Sequence, residues 1–167
     1  AVADVLIPAW VGPGFEGSVI AVQILAFVVV LRAWVAMPST VLKGNDQHRY
    51  LARISAGGAL ANLLLSIPLV KSWGIPGVAL GTAIPVTVIC AGLIFPRACR
   101  LVGLRVARGY RLIVWPAVWP AVLVIAALTL TKSFVPVRLS LVLAHLAGGG
   151  LLYAALFLRF GLSHDER

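Results

Sequence analysis

The sequence predicts an all-α integral membrane protein, a polytopic bundle of about five transmembrane helices with one basic interfacial helix. Three observations predict it. Of the 167 residues, 61% are hydrophobic and only 11% charged, and the mean hydropathy is +1.03; soluble domains run near half apolar and a quarter charged. Several apolar runs are long enough to cross a hydrocarbon core, which takes about 20 residues at about 1.5 Å each. The connections between those runs alternate between rich and poor in positive charge.

Taken in order, residues 1–10 read as the end of an earlier span. They lack the basic start and small-residue cleavage pattern of a leader, and the first residue is alanine, so either the initiator was removed or the chain begins in mid-protein. "WVGPGFEGS", residues 10–18, reads as a loop, because Gly-Pro-Gly cannot continue a helix and Trp10 suits the interface. The spans are then expected at 17–42, 49–70, 75–96, 112–131 and 139–160. "RACRLVGLRVARGYR", residues 97–111, is expected to be a basic interfacial connector. At 3.6 residues per turn its five arginines fall within an arc of roughly 140°, with Cys99, Val102 and Val106 opposite. Residues 1–96 thus hold a three-span core, and 112–167 hold two further helices and a tail.

The connections around 43–53 (Lys43, Arg49, Arg53) and 97–111 (Arg97, Arg100, Arg105, Arg108, Arg111), together with the tail (Arg159, Arg167), carry most of the basic residues. The opposite connections carry only Lys71, Lys132 and Arg138. That alternation predicts a multi-pass protein with a cytoplasmic C-terminus. The net charge of +9 is therefore read as a topology signal and as attraction to anionic lipids, about 1 kcal/mol per basic residue, and not as a nucleic-acid footprint. For the arginines of 97–111, docking of a pyrophosphate headgroup is the alternative to simple headgroup contact.

Arg32 is the intramembrane cation. On the insertion scale it costs about 2.5 to 3.5 kcal/mol, and the neighbouring Val, Ile, Leu and Phe residues return about 3 to 6. Two readings stay open: contact with an anionic ligand, or snorkelling toward the interface marked by Lys43. In the second span Ser55, Gly58, Asn62 and Ser66 recur at spacings of three and four and form one small or polar face. Asn62 there either holds a ligand hydroxyl in a cavity or bonds across to a neighbouring helix.

"WGIPGVALGTAIP", residues 73–85, answers to packing. Pro76 falls in a first helical turn, Gly77 and Gly81 form a small-xxx-small pair for close helix approach, and Pro85 can kink the helix. Cys90, Cys99 and His145 read as packing residues, and Asp46 and His48 are assigned no catalysis. No metal site, cofactor or enzymatic constellation is expected.

Residues 37–84 bring a resemblance. "MPSTVLKGNDQHRYLARISAGGALANLLLSIPLVKSWGIPGVALGTAI" resembles the C-terminal half of bacterial polysaccharide flippases of the multidrug/oligosaccharidyl-lipid/polysaccharide exporter superfamily. The similarity lies in Gly44, Arg49, Asn62, Pro68, Gly74, Ile75, Gly77, Ala79, Leu80 and Thr82, with the 10–18 loop upstream. Residues 97–167 match mainly in topology, as the two extra helices of longer members. The resemblance implies a C-terminal fragment of a two-lobed transporter in the bacterial cytoplasmic (inner) membrane, whose missing N-terminal lobe is a partner. Members have about twelve to fourteen spans and work by alternating access, and a fragment alone is not expected to be competent. The implied substrate is a polyprenyl-pyrophosphate-linked oligosaccharide, with Arg32, Asn62 and Ser66 in the substrate cavity.

Two alternatives are carried with it, a cation-coupled multidrug extruder of the same superfamily and a membrane-embedded enzyme or assembly subunit of envelope biosynthesis. The acids Asp4, Glu16, Asp46, Asp165 and Glu166 all fall outside the expected spans, which disfavours ion coupling through this part of the chain.

Overall fold

The computed structural model describes residues 2–12, 14–15, 17–131 and 139–161. Lys132, Arg138 and Arg167 of the charge pattern, with Glu16, Asp165 and Glu166, lie outside them. Among the described residues the structure is helical and has no strand: a short α1 (Ala3–Val11), then α2 (Ser18–Gly44), α3 (His48–Trp73), α4 (Ile75–Leu101), α5 (Val106–Thr131) and α6 (Leu139–Leu156). Helices α2 to α5, and α6 with its extension to Arg159, are each long and apolar enough to cross a membrane, so the chain is a multi-pass, all-α membrane protein.

The chain forms two compact units, Ile20–Val106 and residues 1–19 with 107–167. In the first, α2 is irregular at Val35, since Pro38 can neither bond to nor clear the carbonyl of Trp34 one turn back. Bonds from Val35 N to Leu31 O and from Ser39 N to Val35 O carry the helix through. It stops in a Schellman turn, where Asp46 N donates to Lys43 O and Gln47 N to Leu42 O. The left-handed residue there is Asp46, at φ 57°, and not Gly44, which ends the helix. Aspartate is one of the few side chains that tolerates that conformation.

Helix α4 widens to π geometry over Val88–Ile94, and α5 does so over Tyr110–Val114. Both wide stretches end two residues before a proline. Phe95 N donates to Cys90 O ahead of Pro96, and Trp115 N donates to Tyr110 O ahead of Pro116. In a regular α-helix each ring would strike the carbonyl four residues back, and the extra residue in the turn removes that clash.

The expected interfacial helix over 97–111 is not a separate element. Arg97 and Arg100 ride the last turns of α4, Arg105 lies in a break, and Arg108 and Arg111 start α5. Gly103 causes the break. At φ 72° it closes a second Schellman turn, with Gly103 N bonded to Arg100 O and Leu104 N to Cys99 O.

In this first unit Val35, Leu42, Cys90, Ile94 and Ala98 form the buried cluster, and Tyr50, Leu51 and Ile54 of α3 pack against it. Helix α3 has no buried residue; Leu60, Leu63 and Leu64 are all exposed, an apolar surface suited to a hydrocarbon surround. The second unit is built on the α5–α6 pair, with α1 against α6. Tyr153 Oη donates to Ala117 O at 3.3 Å, and Thr131 Oγ1 lies 3.3 Å from His145 Nε2.

Candidate functional site

The side chains that converge come from three stripes of the first unit. On α2, Arg32, Val35, Ala36 and Ser39 follow i, i+3, i+4, i+7 and so share a face. Helix α3 presents Ser55, Ala59 and Asn62, and α4 presents Val86, Cys90 and Ile94, again at helical spacing. Together they line a cavity of about 590 Å³, within the range of small-molecule pockets.

Arg32 supplies the charge. It stands near the middle of α2, about 21 Å along the axis from Ser18 and about 18 Å from Gly44. Its side chain borders the cavity together with those of Val35, Ala36 and Ser39. Arg32 is exposed at the cavity surface, and among the described residues it forms no ion pair. Among the described residues no carboxylate lines the cavity; its other polar side chains there are Ser39, Ser55, Asn62 and the Cys90 thiol.

Asn62 sits on the wall between α3 and α4. Its Nδ2 donates to Thr82 Oγ1 at 2.9 Å, its Oδ1 accepts from Ser66 Oγ at 3.4 Å, and Thr82 Oγ1 donates to Val78 O at 3.2 Å. The amide therefore bonds across helices while also facing the cavity. Ser66 belongs to the seam and not to the lining. A Cβ on Gly81 would lie 2.9 Å from Ser66 Cα, and one on Gly77 would lie 3.0 Å from Val70 N, so at both glycines backbone meets backbone. Pro85 is buried at the cavity wall, just before the wide stretch of α4.

At the basic end of the same helices, Arg97 Nη2 donates to Gln47 Oε1 at 3.0 Å and its guanidinium lies 5.1 Å from the centre of the Tyr50 ring. Tyr50 Oη donates to Leu93 O at 3.4 Å. Arg97, expected at lipid headgroups, thus braces α4 against α3. No protein-family model, curated protein or solved structure matches this chain. The functional reading therefore rests on its residues and their arrangement.

The structure brings together Arg32, Ser55 and Asn62 from the sequence reading and leaves Ser66, Gly77 and Gly81 in the seam. His145 is in the other unit, beside Thr131. Among the described residues, no cluster of histidine, cysteine and acidic side chains could hold a metal ion. Sequence reasoning missed Ser39 and Cys90. Ser39 was findable, since it lies two turns from Arg32 on the same face; Cys90 faces the cavity only once α4 is placed beside α2.

Proposed function

We propose that this chain forms part of a membrane transporter for an anionic, lipid-linked oligosaccharide or polysaccharide repeat unit, working by alternating access. One observation carries the reading: a mid-span arginine, with no carboxylate beside it among the described residues, faces a cavity that also offers serine hydroxyls and an asparagine amide. A guanidinium binds phosphate oxygens through paired hydrogen bonds, and hydroxyls and amides bind sugar hydroxyls. Export of such an amphiphile needs both, in a site open to a polar head. The resemblance of residues 37–84 to polysaccharide flippases supports the same substrate class, and it supplies the second lobe against which this one would rock.

In this reading the 43–53 and 97–111 connections face the cytoplasm of a bacterial inner membrane and contact anionic headgroups, and the C-terminus is cytoplasmic. A cation-coupled extruder would place a carboxylate in the cavity, and an enzyme would pair the Cys90 thiol with a base; among the described residues the lining offers neither. The test is Arg32→Ala at the native locus. Surface polysaccharide is expected to fall at least about tenfold with membrane insertion intact, and Arg32→Lys is expected to retain part of the output. Normal polymer in the alanine variant would remove Arg32, and with it this reading.

A further inference from the structure

The α3–α4 seam changes character along its length. At Gly77 and Gly81 the two backbones touch, and the Asn62–Thr82 bond follows. At Gly58 the backbones have parted. A Cβ there would meet only the side chain of Ile89, whose Cδ1 occupies the space. Farther on, the helices are held at side-chain length by Tyr50 on Leu93 O and by Arg97 on Gln47. Between the tight glycine end and this brace, one isoleucine in a glycine notch fills the gap.

The two sides of that gap differ. On one side is the Arg32 cavity. On the other is an apolar cavity of about 330 Å³ lined by residues such as Gly57, Ala61, Leu65, Ile84, Val88 and Leu93. Gly58, Pro85 and Ile89 line both, so they are the partition. Pro85 has no N–H to tie its turn to the one before, and Ile89 lies within the wide stretch that follows. The partition is thus built from a glycine, a proline and one side chain on a helical turn outside regular α geometry.

We propose that this seam is a lateral portal, closed by Ile89 in the Gly58 notch, through which the hydrocarbon chain of an anionic amphiphile passes between the Arg32 cavity and the bilayer. The inference rests on reading that cavity as a ligand site. A polar head at Arg32 and a tail in lipid need a slot between two helices, and this seam is one side chain thick.

Cys90, on the cavity side next to Ile89, reports on the opening. In native membrane vesicles carrying the Cys99→Ala background, Cys90 is alkylated either by a pyrene maleimide dissolved in the bilayer or by a sulfonated maleimide in water. Ile89→Ala is expected to raise the bilayer reagent's rate about tenfold and to change the aqueous rate by less than about twofold. Ile89→Leu, which keeps the bulk, is expected to stay near the unsubstituted rate. An unchanged bilayer rate in Ile89→Ala, or equal acceleration by both reagents, would overturn the portal. The readout needs no substrate, so a neutral Arg32→Ala result would sink the transport reading while leaving the portal result standing.

Discussion

In the α3–α4 pair Gly77 and Gly81 let backbone touch backbone, whereas in the α5–α6 pair Gly149 meets only the branched end of Leu128. Each pair is also braced by a tyrosine. Tyr50 donates to Leu93 O, three residues before Pro96, and Tyr153 donates to Ala117 O, three residues before Pro120. A proline weakens the bonding of the carbonyls one turn before it, and in each pair a tyrosine of the neighbouring helix supplies a donor there. So both units solve the proline problem alike and differ in how closely their helices approach. The first unit spends its close approach at one end of the seam and leaves the other end apart, which makes room for a cavity beside Arg32.

The largest expected effect is on that contrast itself. Gly81→Leu drives a side chain into the backbone of Ser66 and should cost about 3 kcal/mol or more, while Gly149→Leu displaces a flexible leucine end and should cost about 1 kcal/mol. Thermal unfolding in detergent measures both; equal losses would erase the distinction. Next, Asn62→Leu removes the Asn62–Thr82 bond and should lower stability by about 0.6 to 1.7 kcal/mol, with Thr82→Val giving no further loss in the double variant. Additive losses would mean the bond does not hold the seam. The smallest effect is on the braces. Tyr50→Phe and Tyr153→Phe should each cost about 0.6 kcal/mol and speed amide exchange near Leu93 and Ala117, respectively. A change in only one of the two would break the parallel between the units.

Much of the fold was legible because the bilayer imposes simple requirements. The spans followed from apolar length, and Pro76 in the first turn of α4 and the glycine pair were readable as helix start and close contact. The boundaries moved where local chemistry outweighed hydropathy. Arg97 and Arg100 look like the start of a new polar element, but the helix continues through them, because a basic side chain is a good helix former that also suits a C-terminal turn. What ends it is Gly103, whose place in "CRLVGLR" is the usual one for a Schellman turn.

Asp46 was hidden behind Gly44, the more permissive residue two positions earlier. The wide turns were not legible from periodicity, although the prolines at 96 and 116 mark where they end. Of the site, the Arg32 to Ser39 stripe lay open in the sequence. Its meeting with Asn62 and Cys90 did not, because it depends on how three helices lean on one another.

The wide stretch of α4 also sets the phase of everything after it. Each i→i+5 closure takes up one residue more than i→i+4, which turns the downstream side chains by about 100° relative to an unbroken α-helix. Drawn on an ordinary helical wheel, Arg97 therefore falls on the wrong side of α4. Deleting one residue between Val88 and Ile94 would restore ordinary winding and would force a choice, either Pro85 and Ile89 toward α3 or Arg97 over Tyr50, but not both at once.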